Sequence, residues 1–476
     1  MFFRQIFDPE LAQYAYIVGC QRTGEALVID PERDIDRYVR VAAEEGLRIV
    51  AATETHIHAD FLSGLREFAE QHSVKLYVSD EGDAEWKYNW AEDSPYDVTF
   101  LKDGDEFMIG NIRIQAVHTP GHTPEHVSFL VTDLGGGATE PMGIASGDFV
   151  FVGDLGRPDL LETAAGVSGA REPSARRLYE STKRFLELPD HVQVWPGHGA
   201  GSACGKALGS VPQSTVGYER RFNVGLSFDT EDGFVASILD GQPEPPVYFA
   251  RMKDLNKNGV PILGDLPAPK AYSIDELAER GSAEGAVIVD TRADRKGFMA
   301  GHVPGSLHAP LGINFAMIVG SYVEPSASIY LIAEASEIEE LVRTLVRIGY
   351  DDIAGYTPPS ALVESGRSEE VVRRVDFPNL DAGFDLSEYT VLDVRGAAEF
   401  AAGHLPGAIN IAHTRLARRL DEVPRDKPVL TYCRSGNRAS AAAALLAREG
   451  YDVLLVDGMF DSWPGHRAGR APAGIA

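Results

Sequence analysis

From about residue 14 to residue 198 the chain repeats one pattern, a short apolar run of strand-forming residues that stops in a polar cluster. Leu47-Arg-Ile-Val-Ala-Ala runs into Thr55-His-Ile-His-Ala-Asp60, and Ile112-Arg-Ile-Gln-Ala-Val runs into His118-Thr-Pro-Gly-His-Thr123. Met142-Gly-Ile-Ala leads to Ser146-Gly-Asp148, and Val192-Gln-Val-Trp to Pro196-Gly-His198. Runs of this length bounded by Gly, Pro and Asp predict strands. Each strand then delivers a His or Asp at its carboxyl end, where sheet-based folds assemble sites, and one shared metal centre accounts for all four.

After about residue 255 the pattern changes. Asn256 to Ala271, with Gly259, Pro261, Gly264, Pro267 and Pro269, reads as a linker. An internal repeat follows at a spacing of about 102 residues, too long for a solenoid and suited to two copies of a small domain. Val287-Ile-Val-Asp-Thr-Arg292 matches Val391-Leu-Asp-Val-Arg395, and Ala300-Gly-His-Val-Pro-Gly-Ser306 matches Ala402-Gly-His-Leu-Pro-Gly-Ala408. Short apolar strands alternating with helical stretches, such as Ala439–Arg448 after Val429–Tyr432, predict parallel α/β units.

Composition narrows the partners. With 44 Lys and Arg against 71 Asp and Glu, a formal charge of −27, the 476-residue chain lacks the cationic surface that nucleic acid or an anionic membrane demands. No apolar run reaches membrane-span length and the start has no signal-peptide pattern, so a cytoplasmic protein is expected. Three scattered cysteines, Cys20, Cys204 and Cys433, exclude a disulfide framework, so any that matters acts as a thiol.

The His-x-His-x-Asp loop, Pro120-Gly-His-Thr123, Gly147-Asp148 and Gly197-His198 together resemble the metallo-β-lactamase superfamily over about residues 1–230. Hydrolytic members such as glyoxalase II follow the Asp with a His that binds a second metal. Here that position is Phe61, which cannot be a ligand, so the second site is expected to be lost. Two imidazoles and a carboxylate with open positions suit non-haem Fe(II), and the resemblance narrows to the persulfide dioxygenases. It implies one Fe(II) on His56, His122 and Asp148, with zinc as the alternative. His58, Asp60 and His198 are then expected to orient ligands or substrate, and Arg157 and Asp159 of Gly156-Arg157-Pro-Asp159 either to brace a loop or to touch substrate.

Tyr432-Cys433-Arg-Ser-Gly-Asn-Arg438 lies between a strand and an alanine-rich helix. Such a loop aims backbone N–H groups inward and adds a helix N-terminus, stabilising a thiolate or persulfide. With Asp393-Val-Arg395, Gly403-His-Leu-Pro-Gly407 and Trp463, it resembles a rhodanese, which implies catalytic roles for Cys433, Arg434 and Arg438. The middle repeat has Ile329-Tyr-Leu-Ile-Ala-Glu-Ala335 where the thiol loop belongs, so it is expected to be a rhodanese-like domain without sulfurtransferase chemistry. Cys204, in the glycine-rich loop after His198, is expected near the metal pocket as a sulfur relay, and Cys20 as a small packed residue.

The expected fold is α/β: an αββα metallo-β-lactamase-like domain (1–255), an inactive rhodanese-like domain (272–366) and an active rhodanese (385–476). The expected activity is oxidation of a low-molecular-weight thiol persulfide by O₂ to sulfite, coupled to sulfur transfer giving thiosulfate. The alternative is a glyoxalase II-like zinc thioester hydrolase. The resemblance also implies a homo-oligomer.

Overall fold

The computed structural model describes residues 1–163, 169–206, 208–366, 371–381 and 383–465. The chain divides into two compact units, Met1–Leu266 with Arg343–Gly349, and Pro267–Val342 with Tyr350–Ala476.

The first unit holds two six-stranded sheets. One contains β1 (Phe2–Asp8), β2 (Gln13–Cys20), β3 (Glu25–Ile29), β4 (Arg48–Thr53), β5 (Lys75–Ser79) and β6 (Val98–Leu101) in that order, antiparallel as far as β3 and parallel beyond it. The other contains β7 (Glu106–Ile109), β8 (Ile112–His118), β9 (Val127–Asp133), β10 (Gly143–Gly147), β11 (Gln193–Pro196) and β12 (Ser214–Thr215), with β10 and β11 parallel. Every residue of β2 is buried, because both faces are covered. Tyr14, Tyr16 and Val18 pack with Phe107, Ile112, Ile114, Phe129 and Trp195 of the other sheet. Ala15 and Ile17, pointing the opposite way, pack with Tyr38, Leu65 and Phe68 of the outer helices Asp36–Glu44 and Leu65–His72. On the far side Ile144, Val192 and Val194 meet Leu178 and Phe185 of helix Arg171–Leu186 and Phe234 of helix Glu231–Leu239. The result is four layers, helix–sheet–sheet–helix.

Asn256 departs from the expected linker. Helix Phe249–Asn258 continues through it, and Lys270–Ala271 form a strand. Asn256 is only 1% exposed and holds the segment after β4: its Oδ1 accepts from Ser63 N (2.9 Å), and its Nδ2 donates to the carbonyls of His58 (2.8 Å) and Phe61 (2.7 Å).

The second unit contains two five-stranded parallel sheets. The first is built from β13 (Lys270–Ala271), β14 (Ala286–Asp290), β15 (Leu307–His308), β16 (Ser328–Ile332) and β17 (Ile353–Thr357). The second is built from β18 (Arg373–Asp376), β19 (Thr390–Asp393), β20 (Ile409–Asn410), β21 (Val429–Tyr432) and β22 (Val453–Asp457). Their orders are β13-β17-β16-β14-β15 and β18-β22-β21-β19-β20, the same arrangement twice. Strand β18 precedes the expected boundary at 385, and Phe377 lies in the core of that half. Residues 466–476 of the expected last domain lie outside the described residues. Among the described residues no helix is long and apolar enough to cross a membrane.

Candidate metal centre and thiol loop

The polar cluster after β4 is held by Asp30, which follows β3 in a left-handed conformation (φ 53°). Its carboxylate accepts from Thr55 N (2.6 Å) and Thr55 Oγ1 (3.1 Å) and reaches His58 Nε2 at 3.2 Å. Opposite, β10 breaks register before Gly147, whose φ is +50°. A Cβ there would sit 2.4 Å from Thr55 Oγ1 and 2.7 Å from His126 Nε2, so only glycine lets the Asp148 loop approach the His-x-His loop. A Cβ on Gly197 would lie 2.5 Å from Asp148 Oδ1.

These turns bring His56, His122 and Asp148 together, with one ligand atom of each within 4.8 Å of the others. His122 Nδ1 donates to the carbonyl of Arg157 (3.1 Å), which leaves its Nε2 facing Asp148 Oδ2 at 3.5 Å. His56 Nδ1 pairs with Thr55 Oγ1 (3.0 Å). His56 Nε2 and both Asp148 carboxylate oxygens are buried without a hydrogen-bond partner. Polar atoms so placed are costly unless something binds them, and a cation fits this set. Burial and neighbouring imidazoles hold His56 well below the ordinary histidine range, and burial likewise lowers His122, so both rings are neutral as ligation requires.

Asp60, His198 and Cys204 form a second cluster of the same compactness. His198 Nδ1 donates to the Ala12 carbonyl (3.1 Å), and its Nε2 faces Asp60 Oδ2 (3.2 Å) and Asp148 Oδ1 (3.4 Å). Phe61 is fully buried with its ring 4.3 Å from that of His58, and it contributes no ligand, as its chemistry requires. Cys204, from a loop far along the chain, stands beside Asp60 and His198 as a third potential donor. That loop is anchored. Cys204 is 2% exposed, and burial together with Asp148 and Asp60 pushes its thiol up to about 12. For His58, burial opposes the charge, but Asp30, Glu54 and Asp60 outweigh it and raise the ring to about 9.

Arg157 is completely buried and fully engaged. It forms a two-pronged pair with Asp159 (Nε–Oδ1 3.0 Å, Nη2–Oδ2 2.7 Å) and donates to the carbonyls of Ala203 (3.0 Å) and Pro243 (2.6 Å). Of its two expected roles this geometry is that of the brace, tying the Cys204 loop to the carbonyl that orients His122.

Sequence reasoning missed four residues. Asp30 follows the apolar run Leu27-Val-Ile29, the same signal as the other clusters. His126, four residues after His122, accepts from Asp148 N (3.1 Å) through Nε2 and pairs through Nδ1 with Thr119 Oγ1 (2.8 Å). Asn256 carried no local signal. Nor did Lys253, which lines a small opening onto the centre with Trp86, His122, Leu161 and Phe249, its ammonium 3.6 Å from the Trp86 ring centre.

In the second unit Cys433 Sγ accepts N–H groups of Gly436 (3.1 Å) and Ala439 (3.4 Å) at the start of helix Asn437–Arg448. Arg438 pairs with Glu399 (Nη2–Oε1 2.9 Å), whereas Arg434 is exposed. Cys20 is packed at 4% exposure, and its sulfur accepts from Asn111 N (3.3 Å).

Two β-sheets between helices, with histidines and aspartates gathered at the strand ends, define an αββα fold with a candidate metal centre. The metallo-β-lactamase superfamily matches residues 8–198, and the rhodanese-like domain family matches residues 377–466. A metallo-β-lactamase from Staphylococcus aureus subsp. aureus COL is 41% identical, with a TM-score of 0.67, over 75% of this chain and 98% of that one. The chain belongs to the metallo-β-lactamase superfamily, has persulfide dioxygenase homologues and carries a C-terminal rhodanese domain. The bovine mitochondrial persulfide dioxygenase ETHE1 is 26% identical over 234 residues, 48% of this chain and 77% of that protein. A β-lactamase hydrolase-like protein of Xylella fastidiosa (strain 9a5c) is 29% identical over 254 residues, and the match spans only 53% of its length.

Proposed function

We propose that the chain is a persulfide dioxygenase fused to a sulfurtransferase. The dioxygenase occupies residues 1–255, a cysteine-less rhodanese-like domain 272–366, and a rhodanese 385–476, extended at its start to include β18. The repeated strand order supports a common origin for the last two. The observation that carries the dioxygenase reading is the His56–His122–Asp148 cluster, in which His56 Nε2 and both Asp148 carboxylate oxygens are buried without a hydrogen-bond partner. One Fe(II) held there would supply the redox chemistry, in a cytoplasmic homo-oligomer. The overall reaction is R–S–SH + O₂ + H₂O → R–SH + SO₃²⁻ + 2H⁺, in which the outer sulfur is oxidised and O₂ reduced.

The chain's own residues prepare that step. Thr55 and the Arg157 carbonyl fix the two ring orientations, and His126 fixes the Asp148 backbone. Phe61 and Phe249 keep the surroundings apolar. Lys253 at the opening offers a cation to an acidic persulfide carrier. Cys433 would hold a persulfide against two backbone N–H groups and pass its outer sulfur to sulfite, giving thiosulfate.

A second reading is supported by the Asp60–His198–Cys204 cluster, which offers donors for another metal and so suits a zinc thioester hydrolase of glyoxalase II type. Metal analysis of the purified chain with O₂ uptake on glutathione persulfide tests both. About one iron per chain and O₂ consumption, both abolished by His122→Ala, are expected. Two zinc ions and cleavage of S-lactoylglutathione without O₂ uptake would establish the hydrolase instead.

A further inference from the structure

The segment Arg343–Gly349 belongs to the first compact unit, although the cysteine-less repeat around it belongs to the second. It comprises the last turn of helix Ile338–Arg347 and the turn that follows. Within it Arg347 is buried among three buried carboxylates, Asp8, Glu32 and Asp34. Its Nη1 donates to Asp8 Oδ2 (2.7 Å), its Nε and Nη2 grip both oxygens of Asp34 (2.8 and 2.7 Å), and Glu32 Oε2 lies 3.3 Å from Nε. Burial opposes charge on Asp8 and Asp34, yet the guanidinium holds both carboxyls below the ordinary aspartate range. Buried charges of this kind are poor sources of net stability, and their best-attested use is to hold groups in register. In the cysteine-bearing repeat Arg448-Glu-Gly-Tyr-Asp452 matches Arg347-Ile-Gly-Tyr-Asp351, but Arg448 is exposed and donates to the Gly305 carbonyl (2.8 Å).

Arg347 touches two segments that lead to the candidate metal centre. Its side chain holds Asp8, whose Oδ1 accepts from Glu10 N (2.8 Å) and Leu11 N (3.4 Å) and so shapes the turn between β1 and β2. That turn contains Ala12, left-handed at φ 51°, whose carbonyl accepts from His198 Nδ1 (3.1 Å) and Gly199 N (2.9 Å). The Arg347 carbonyl, for its part, accepts from Leu62 N (2.7 Å), two residues after Asp60. Arg251 clamps the adjoining carbonyls of Ile348 (2.7 Å) and Gly349 (3.1 Å) from the helix in which Asn256 holds the same Asp60-bearing segment. His198 Nε2 and Asp60 Oδ2 face each other at 3.2 Å, so both members of that pair are reached from one residue.

We propose that Arg347 is a positioning residue for the candidate metal centre: through the Asp8 turn and the Leu62 amide it sets Asp60 against His198. The cysteine-less repeat thereby supplies the first unit with a structural part, a role that needs no sulfur chemistry of its own. The inference rests on the metal-centre reading of the first unit and adds to it a residue that acts only through others.

The test compares two substitutions in the full chain. Arg347→Met keeps the bulk and removes the guanidinium. Arg343 binds Asp34 (2.8 Å) and Asp36 (2.7 and 2.8 Å), so Arg343→Gln weakens the same group of charges from its edge and serves as the control. Hydrogen exchange at the Leu62 amide and the Nδ1–H resonance of His198 are read on the chain without metal, and O₂ uptake on glutathione persulfide after iron loading. Arg347→Met is expected to speed Leu62 exchange about tenfold or more and to shift the His198 resonance. It is expected to lower kcat about 10–100-fold, as loss of groups that orient ligands does, with KM within about twofold because the opening at Lys253 is untouched. Arg343→Gln is expected to leave kcat and Leu62 exchange within about twofold and the His198 resonance in place. Should Arg347→Met fail to fold, Arg347→Lys, which keeps the cation without the two-pronged grip, is read in the same way. Parental Leu62 exchange and His198 resonance in the Arg347 variant, or equal losses of kcat in the Arg347 and Arg343 variants, would overturn the proposal. A parent chain that takes up no O₂ would instead refute the dioxygenase reading, while exchange and resonance still decide the role of Arg347.

Discussion

His122 gives its Nδ1 proton to the carbonyl of Arg157, 3.1 Å away, and the same residue's guanidinium grips Asp159 and the loop that carries Cys204. One residue thus orients a candidate metal ligand with its backbone and positions a buried thiol with its side chain. Replacing it by alanine leaves Asp159 buried without its partner. Loss of one member of a buried pair costs about 3–5 kcal/mol. Arg157→Ala is expected to lower the first thermal unfolding transition and to weaken metal retention about 10–100-fold. Calorimetry and metal analysis after dialysis check this, and normal values for both would show the clamp to be dispensable.

Asn256→Ala removes three hydrogen bonds to the segment 58–63 and strands buried backbone groups, each worth about 1–3 kcal/mol when left unpaired. Faster hydrogen exchange at the Leu62 and Ser63 amides is expected, with lower stability of the first unit. Because Asn256 touches the chain on both sides of Asp60, substrate turnover should fall as well. Unaltered exchange in that segment would contradict the anchoring role.

Lys253 stands at the opening onto the candidate metal centre, over Trp86. Lys253→Met keeps the length and removes the charge. KM for an acidic persulfide carrier is expected to rise about tenfold, equivalent to about 1.4 kcal/mol, with kcat little changed. Steady-state O₂ uptake against persulfide concentration measures it; a fall in kcat alone would place Lys253 in the chemical step.

Cys204→Ser separates the two clusters. If the centre is His56–His122–Asp148 alone, iron content stays near one per chain, while a metal on Asp60, His198 and Cys204 would be lost. Plasma mass spectrometry of parent and variant distinguishes them. Changed products at unchanged iron would mark Cys204 as a sulfur relay.

Cys433→Ser is expected to turn thiosulfate into sulfite as the product from persulfide, at a similar rate of O₂ uptake, since a serine hydroxyl cannot store sulfane sulfur. Chromatography of the sulfur products checks this, and thiosulfate at the parental rate would remove the C-terminal thiol from the reaction.

The sequence by itself determined the strands, the polar clusters that end them, the Cys433 loop and the repeat after residue 255, because each is a local pattern. A strand is recognised from the alternation or continuity of a few residues, and a Pro-Gly-His turn from three. Phe61 beside Asp60 is a local reading as well. Only the tertiary structure decided that Cys204 stands with Asp60 and His198, that Arg157 pairs with Asp159 and the Ala203 carbonyl, and that Asn256 clasps the segment after β4. Those relationships join residues far apart along the chain, and the packing of sheets and helices, not any periodicity, sets which of them meet.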